Sequence, residues 1–329
     1  MADKPKSTSA ALYRRDLMGL ALFGMAAAAF GVLLGKPYHL TLLTYSGLYT
    51  IAALGMFLLF GLCGQISVGQ AAFFGIGAYV GALLVMRAGL PSGVAIAAAV
   101  AVAGVIGFAV SRPILKLSTN YLAMATLAFG VIVYVVFSQA ISWTGGLDPG
   151  LFGVPPISLF GHSFASAADK YWIVAAFTFL SLALVINLVH SRFGRAFKAL
   201  RSSEVAAAGL GVDVVGCKVA AFTVAASLAG LAGALFGFVQ GSFSASNFTV
   251  SLSIEFLVMV VVGALSSPWG ALFGAFFITI VPTFLDDFDA YKLLVYGCIL
   301  LVVTVLMPDG VARAAYDGLQ ALLRRRSAS

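Results

Sequence analysis

Ten apolar runs, most of them close to the length that crosses a bilayer, leave this chain little polar surface to face water. They are Leu17 to Gly35, Leu40 to Leu62, Ala71 to Met86, Ser92 to Val110, Tyr121 to Ile141, Tyr171 to His190, Val219 to Val239, Ile254 to Leu265, Trp269 to Phe284 and Tyr291 to Met307. A hydrocarbon core about 30 Å thick takes roughly 20 apolar residues per helix, so the pattern predicts an all-α, polytopic membrane bundle of about ten transmembrane helices. Only 9% of residues are charged, against about 25% in soluble domains, so lipid is the solvent the sequence is written for. The runs divide the chain into an N-terminal tail at 1–16, a transmembrane domain at 17–307 and a C-terminal tail at 308–329. The first run is longer than a signal-peptide core, and no polar segment of any length follows it, so it reads as a retained first helix.

Charge orients the bundle. With a cytoplasmic N-terminus and ten crossings, all but Lys36, Arg87, Lys170 and Lys292 of the 19 Lys and Arg residues fall inside, while Asp286, Asp287 and Asp289 fall outside. This is the asymmetry that membrane insertion imposes, and it predicts that both termini are cytoplasmic. It also accounts for the net charge of +7 without nucleic acid as a partner. Cys63, Cys217 and Cys298 lie far apart, so neither a disulfide framework nor a metal cluster is expected.

Two apolar segments are interrupted by glycine and polar residues: GLCGQISVGQAAFFGIGAYVGALL at 61–84 and VVGALSSPWGALFGAFF at 261–277. Neither reads as one continuous helix. They share a loose Gly, aliphatic, Ser order at Gly64, Ile66 and Ser67 and at Gly263, Leu265 and Ser266. Corresponding interrupted segments in two halves of a transporter supply broken helices, whose freed backbone groups can meet a solute. Glycines four residues apart, among them Gly77 with Gly81, Gly233 with Gly237 and Gly270 with Gly274, have the competing and simpler explanation of close helix packing.

Between two apolar runs lies the polar segment SRFGRAFKALRSSEVAAAGLGVDVVGCKV, Ser191 to Val219. Its length and charge make it the one large cytoplasmic loop. The stretch from Arg195 to Ala208 contains no Gly or Pro and predicts a short surface helix. Such a helix either lies on lipid headgroups or docks a partner.

Five stretches, in order and in register, carry a resemblance: GQISVGQAAFFGIGAYVGALL at 64–84, YLAMATLAFG at 121–130, TGGLDPGLFGVPP at 144–156, FGRAFKALRSSEVAAAGLGV within the polar loop, and IEFLVMVVVGALSSPWGALFGAFF at 254–277. Together they resemble the LivM-type permeases of the branched-chain amino acid transport family of ABC importers. The resemblance implies a non-enzymatic transport subunit of a bacterial inner membrane. It further implies a LivH-type permease partner, two ABC ATPase subunits and an extracytoplasmic solute-binding protein, with ATP and Mg held by the ATPases and no cofactor in this chain. Leucine, isoleucine, valine or related small solutes are the implied cargo, with urea, short amides or aromatic acids as the alternative for the same subunit type. The sequence around Glu204 to Gly211 looks like the loop that seats such permeases in their ATPases. Arg195, Lys198, Arg201, Glu204, Ala206, Ala207 and Gly211 are its candidate coupling residues.

The residues themselves agree on one point: no phosphate-binding G-x-x-x-x-G-K-[ST] loop is present, so ATP-driven transport needs a separate ATPase. Ionisable groups inside the runs are few, which argues against an ion-coupled secondary transporter. No paired catalytic groups support an intramembrane enzyme. Gln65, Ser67, Gln70, Asn120, Thr126 and Glu255 are the candidate lining of a solute pathway, with Gln139 a further polar candidate. Interhelical hydrogen bonding competes for the polar residues, and capping of a helix first turn competes for Glu255. The segment from Ser142 to Lys170 holds three prolines and almost no charge and is expected to pack over the outer mouth of the bundle.

Overall fold

The computed structural model describes residues 5–33, 36–115, 119–159, 162–284 and 297. The helices in chain order are α1 Pro5–Leu33, α2 Pro37–Met56, which continues as a π-helical turn at Phe57–Leu62, α3 Gln70–Ala88, α4 Ser92–Ile114, α5 Thr119–Gln139, α6 Ile141–Thr144, α7 Ala167–His190, α8 Arg192–Ser202, α9 Glu204–Gly209, α10 Val214–Gln240, α11 Val250–Gly263 and α12 Pro268–Phe284. Four short strands, β1 Leu151–Phe152, β2 Ile157–Leu159, β3 His162–Phe164 and β4 Ser242–Phe243, pair antiparallel as β1 with β4 and β2 with β3.

Seven helices are long and apolar enough to cross a membrane: α1 from Tyr13, α2 with its π turn, α3, α4, α5, α7 and α10. The expected spans at 254–265 and 269–284 take a different form. They are the two arms of a pair, α11 and α12, bent by 117° at the break between them. At 1.5 Å per residue the arms are about 21 and 25 Å long, each short of a bilayer core. The count among the described residues is seven long helices plus one bent pair, which bears out an all-α membrane bundle with a broken segment and does not reach the count of about ten. The span expected at 291–307 and the tail at 308–329 lie outside the described residues.

The long central helix α10 packs on α3, α4 and α2. The contact is tight because small residues let the backbones meet. A methyl group at Gly77 would overlap the Gly230 carbonyl, and one at Gly233 would overlap the Phe74 carbonyl. The packing explanation of the paired glycines is thus the one realised along α3 and α10. Around this seam, Phe57, Phe73, Phe74, Phe222, Phe238 and Phe256 are fully buried.

The segment from Ser142 to Lys170 closes over one end of the bundle. Its β1 strand pairs with β4 just past the end of α10, the Val154 N–H donates to the Gly241 carbonyl at 3.0 Å, and Lys170 Nζ donates to the Val239 carbonyl at 2.9 Å. At the opposite end, Asp16 of α1 accepts from Trp269 Nε1 of α12 at 3.3 Å and meets His190 Nε2 of α7 at 2.8 Å. The bundle thus has one end covered by a loop and one end clamped by Asp16, and the clamped end carries α8 and α9.

Replacing Gly233 by Leu should lower the melting temperature of the purified protein in detergent, since overpacking of a tight contact costs about 1–3 kcal/mol or more. Gly209→Ala, which places its methyl in open space, should leave the melting temperature unchanged.

Candidate functional site

The two interrupted segments form real breaks, and they meet. At Phe57–Leu62 the helix widens into a π turn, a form common at functional sites. It then ends with Gly64 in the left-handed conformation, φ 69°, and the Gln65 N–H returning to the Leu59 carbonyl at 2.9 Å. Residues 64–69 run without helix until Gln70 opens α3. The second break follows Gly263, where Ala264 has φ 131°. The two lie against each other: a methyl added at Gly61 would reach the Leu265 carbonyl at 2.8 Å.

A helix end frees backbone carbonyls, and buried ones need a partner. Arg201 supplies it to both breaks. Its guanidinium Nη1 donates to the Gly61 carbonyl and lies 3.4 Å from the Leu265 carbonyl. The neighbouring Glu204 also turns inward. Its Oε1 accepts from Gln65 Nε2 at 3.3 Å and sits 2.6 Å from Lys218 Nζ. Lys218 is 6% exposed. It lies in the second turn of α10, a buried cation where the loop alone had been read.

These contacts follow from how the polar loop folds. Instead of one surface helix it makes two, because Ser203 leaves the helical region and its hydroxyl accepts the Ala206 N–H at 3.2 Å, capping α9. On α8 the apolar Phe197 and Leu200 are buried while Arg195 and Lys198 are exposed, so the helix lies flat against the bundle. On α9, Ala207 is buried and Ala206 exposed. Gly211, φ 83°, turns the chain back into α10. Facing away from the bundle are Val205 and Leu210, at 85% and 82% exposure.

Of the expected pathway residues, Gln65, Ser67, Gln70 and Thr126 come together at the first break. Thr126 Oγ1 accepts the Val68 N–H at 3.0 Å, and Gln70 Nε2 donates to the Ala225 carbonyl at 2.9 Å. All four are buried. Ser67 Oγ and Gln70 Oε1 have no protein partner among the described residues, the kind of buried polar atom that asks for a functional explanation. Ser253 of α11, not singled out in the sequence, joins this group by accepting the Ala71 N–H at 2.8 Å. Asn120 belongs to the first turn of α5, and its side chain lies outside the described residues. Glu255 is exposed and stands apart from this cluster. The capping explanation offered for it fails, because α11 begins at Val250 and Glu255 is already in its second turn.

The arrangement suits transmission. Two helix breaks are tied by Arg201 to α8, and α8 leads directly into the segment that exposes Val205 and Leu210. The ion pair gives a direct check. Glu204→Leu, which leaves the Lys218 ammonium buried and unpaired, should destabilise the protein by about 1–3 kcal/mol. Glu204→Leu combined with Lys218→Met should recover most of that loss in the same thermal unfolding measurement.

The comparisons agree with this architecture. Residues 38–304 match the model of a family described as branched-chain amino acid transport system / permease component. The high-affinity branched-chain amino acid transport system permease protein LivM of Escherichia coli is 31% identical over 82% of this chain and 68% of its own length, and LivM of Salmonella typhimurium matches to the same extent. The LivH permease protein of Escherichia coli is 25% identical over 82% of this chain and 92% of its own. No solved structure matches the chain. With the family's sequence pattern covering most of its length and its helices passing repeatedly through the membrane, the chain belongs to the permease components of branched-chain amino acid transport systems.

Proposed function

We propose that this chain is one of the two permease subunits of an ATP-driven importer of branched-chain amino acids, working with a LivH-type permease, two ABC ATPase subunits and an extracytoplasmic solute-binding protein in a bacterial inner membrane. The observation that carries the proposal is the tie from α8 and α9 to both helix breaks through Arg201 and Glu204. A loop that served only to connect two helices has no need to fill the carbonyls of two discontinuities. Similarity to both LivM and LivH proteins supports the pairing of unlike permeases.

In this reading the end bearing α8 and α9 is cytoplasmic, as the charge distribution asks. Val205 and Leu210 are the apolar contacts offered to the ATPase, and Arg195 and Lys198 flank them. This revises the part expected of Glu204: its carboxylate points into the permease and fastens the loop. ATP-driven closure of the partner subunits moves α8 and α9, Arg201 carries the displacement to the carbonyls of Gly61 and Leu265, and the segments at 64–69 and 264–267 shift between arrangements that open the bundle to one side and then the other. ATP and Mg act in the partners; this chain binds and passes the solute.

The test is leucine uptake by proteoliposomes containing the four-component transporter and its binding protein. Uptake should require ATP inside the accessible compartment and should vanish when the ATPase is made catalytically inactive. Val205→Asp with Leu210→Asp should abolish co-purification of the ATPase while the permease still inserts into the membrane. Uptake that persists without ATP, or full co-purification of the double variant, contradicts the proposal.

A further inference from the structure

Asp16 is the one acidic residue of α1, and it meets two other helices at once. One carboxylate oxygen accepts the Trp269 indole N–H at 3.3 Å, and the other lies 2.8 Å from His190 Nε2. The Asp16 and His190 side chains are largely withdrawn from solvent, at 22% and 19% exposure. Trp269 is the second residue of α12, just past the break at 264–267. Its ring rests on α1 at Gly19, where an added methyl would come within 2.7 Å of the indole. His190 is the last residue of α7, and only the extended Ser191 separates it from α8.

The helix that carries Asp16 is firmly held. It packs chiefly on α7, and hydrogen bonds tie the two at both ends of the contact: the Tyr13 hydroxyl donates to Asn187 Oδ1 at 2.9 Å, and the Tyr171 hydroxyl donates to the Ala27 carbonyl at 2.8 Å. By contrast α8 hangs from the one-residue corner at Ser191, and Arg201 stands near its far end, about 15 Å along the helix. Asp16 thus fixes the corner of α8 through His190 and the far side of the second break through Trp269, while Arg201 acts on the near side of that break at Leu265. With Trp269 held, a displacement delivered at Leu265 is taken up within the break. With Trp269 free, α12 follows as a body. The stretch that matches the family model begins at residue 38, so α1 and its carboxylate lie outside it.

We infer that Asp16 is a positioning residue for transport, the fixed point against which the polar loop works on the second helix break. The inference rests on the importer reading and adds to it a role for the first helix. Asp16 touches no solute and acts through Trp269 and His190. The indole N–H is a donor only, so what it needs from position 16 is an acceptor at the right place, which an amide oxygen also supplies.

The reconstituted transporter with its binding protein tests this through the L-leucine imported per ATP hydrolysed. Asp16→Ala and Trp269→Phe should each lower that ratio about three- to tenfold, the range set by losing one charge-assisted hydrogen bond. The double variant should fall no further than Asp16→Ala alone, because both substitutions cut the same contact. Complex yield and the rate of ATP hydrolysis should stay at the wild-type level, which a merely structural role would not allow. Asp16→Asn should remain within about twofold of the wild type, and Leu22→Ala, on the exposed side of α1, should match it. If the wild type imports leucine with ATP and Asp16→Ala and Trp269→Phe keep its ratio, or lose it only in step with complex yield, the role of Asp16 is overturned while the importer reading stands. If the wild type imports no leucine, the importer reading fails and the role of Asp16 falls with it.

Discussion

The structure turns on one side chain that satisfies two helix ends at once. An interrupted helix leaves carbonyls without their intrahelical partners. Arg201 brings its donors from the polar loop to Gly61 and Leu265, and by doing so couples three pieces of chain that are far apart in sequence. The guanidinium is suited to this because its several N–H groups are fixed in one plane. The inward turn of Glu204 onto Lys218 and Gln65 holds the loop in the orientation that Arg201 needs.

What surrounds the breaks is stiff by comparison. Where α3 and α10 cross, glycine brings one backbone against the other with no side chain between, and a contact of that kind resists sliding.

Much of the membrane architecture was legible because a bilayer allows few solutions, and apolar runs of helical length declare themselves. The two breaks were legible for the same reason, since glycine, glutamine and serine at 61–70 and 263–267 contradict their apolar surroundings. What stayed hidden depended on contact between distant segments. Glu204 and Lys218 both read as members of a solvated basic loop, and nothing in their spacing shows that one is buried and that the other faces it. Glu255 was placed at a helix start only because apolarity rises there; the backbone had already turned helical at Val250, with Thr249 before it in extended conformation. The division of the loop at Ser203 was missed because propensity favours a continuous helix, while a serine hydroxyl capping Ala206 offers the backbone a competing partner.

The number of leucine molecules imported per ATP hydrolysed by the reconstituted transporter measures most directly whether Arg201 carries motion from the polar loop to the helix breaks. Arg201→Ala should leave the ATPase bound and hydrolysing while the ratio falls about tenfold or more, because the ATPase then moves a loop no longer fastened to Gly61 and Leu265. An unchanged ratio in that variant, with the complex intact, would contradict the account.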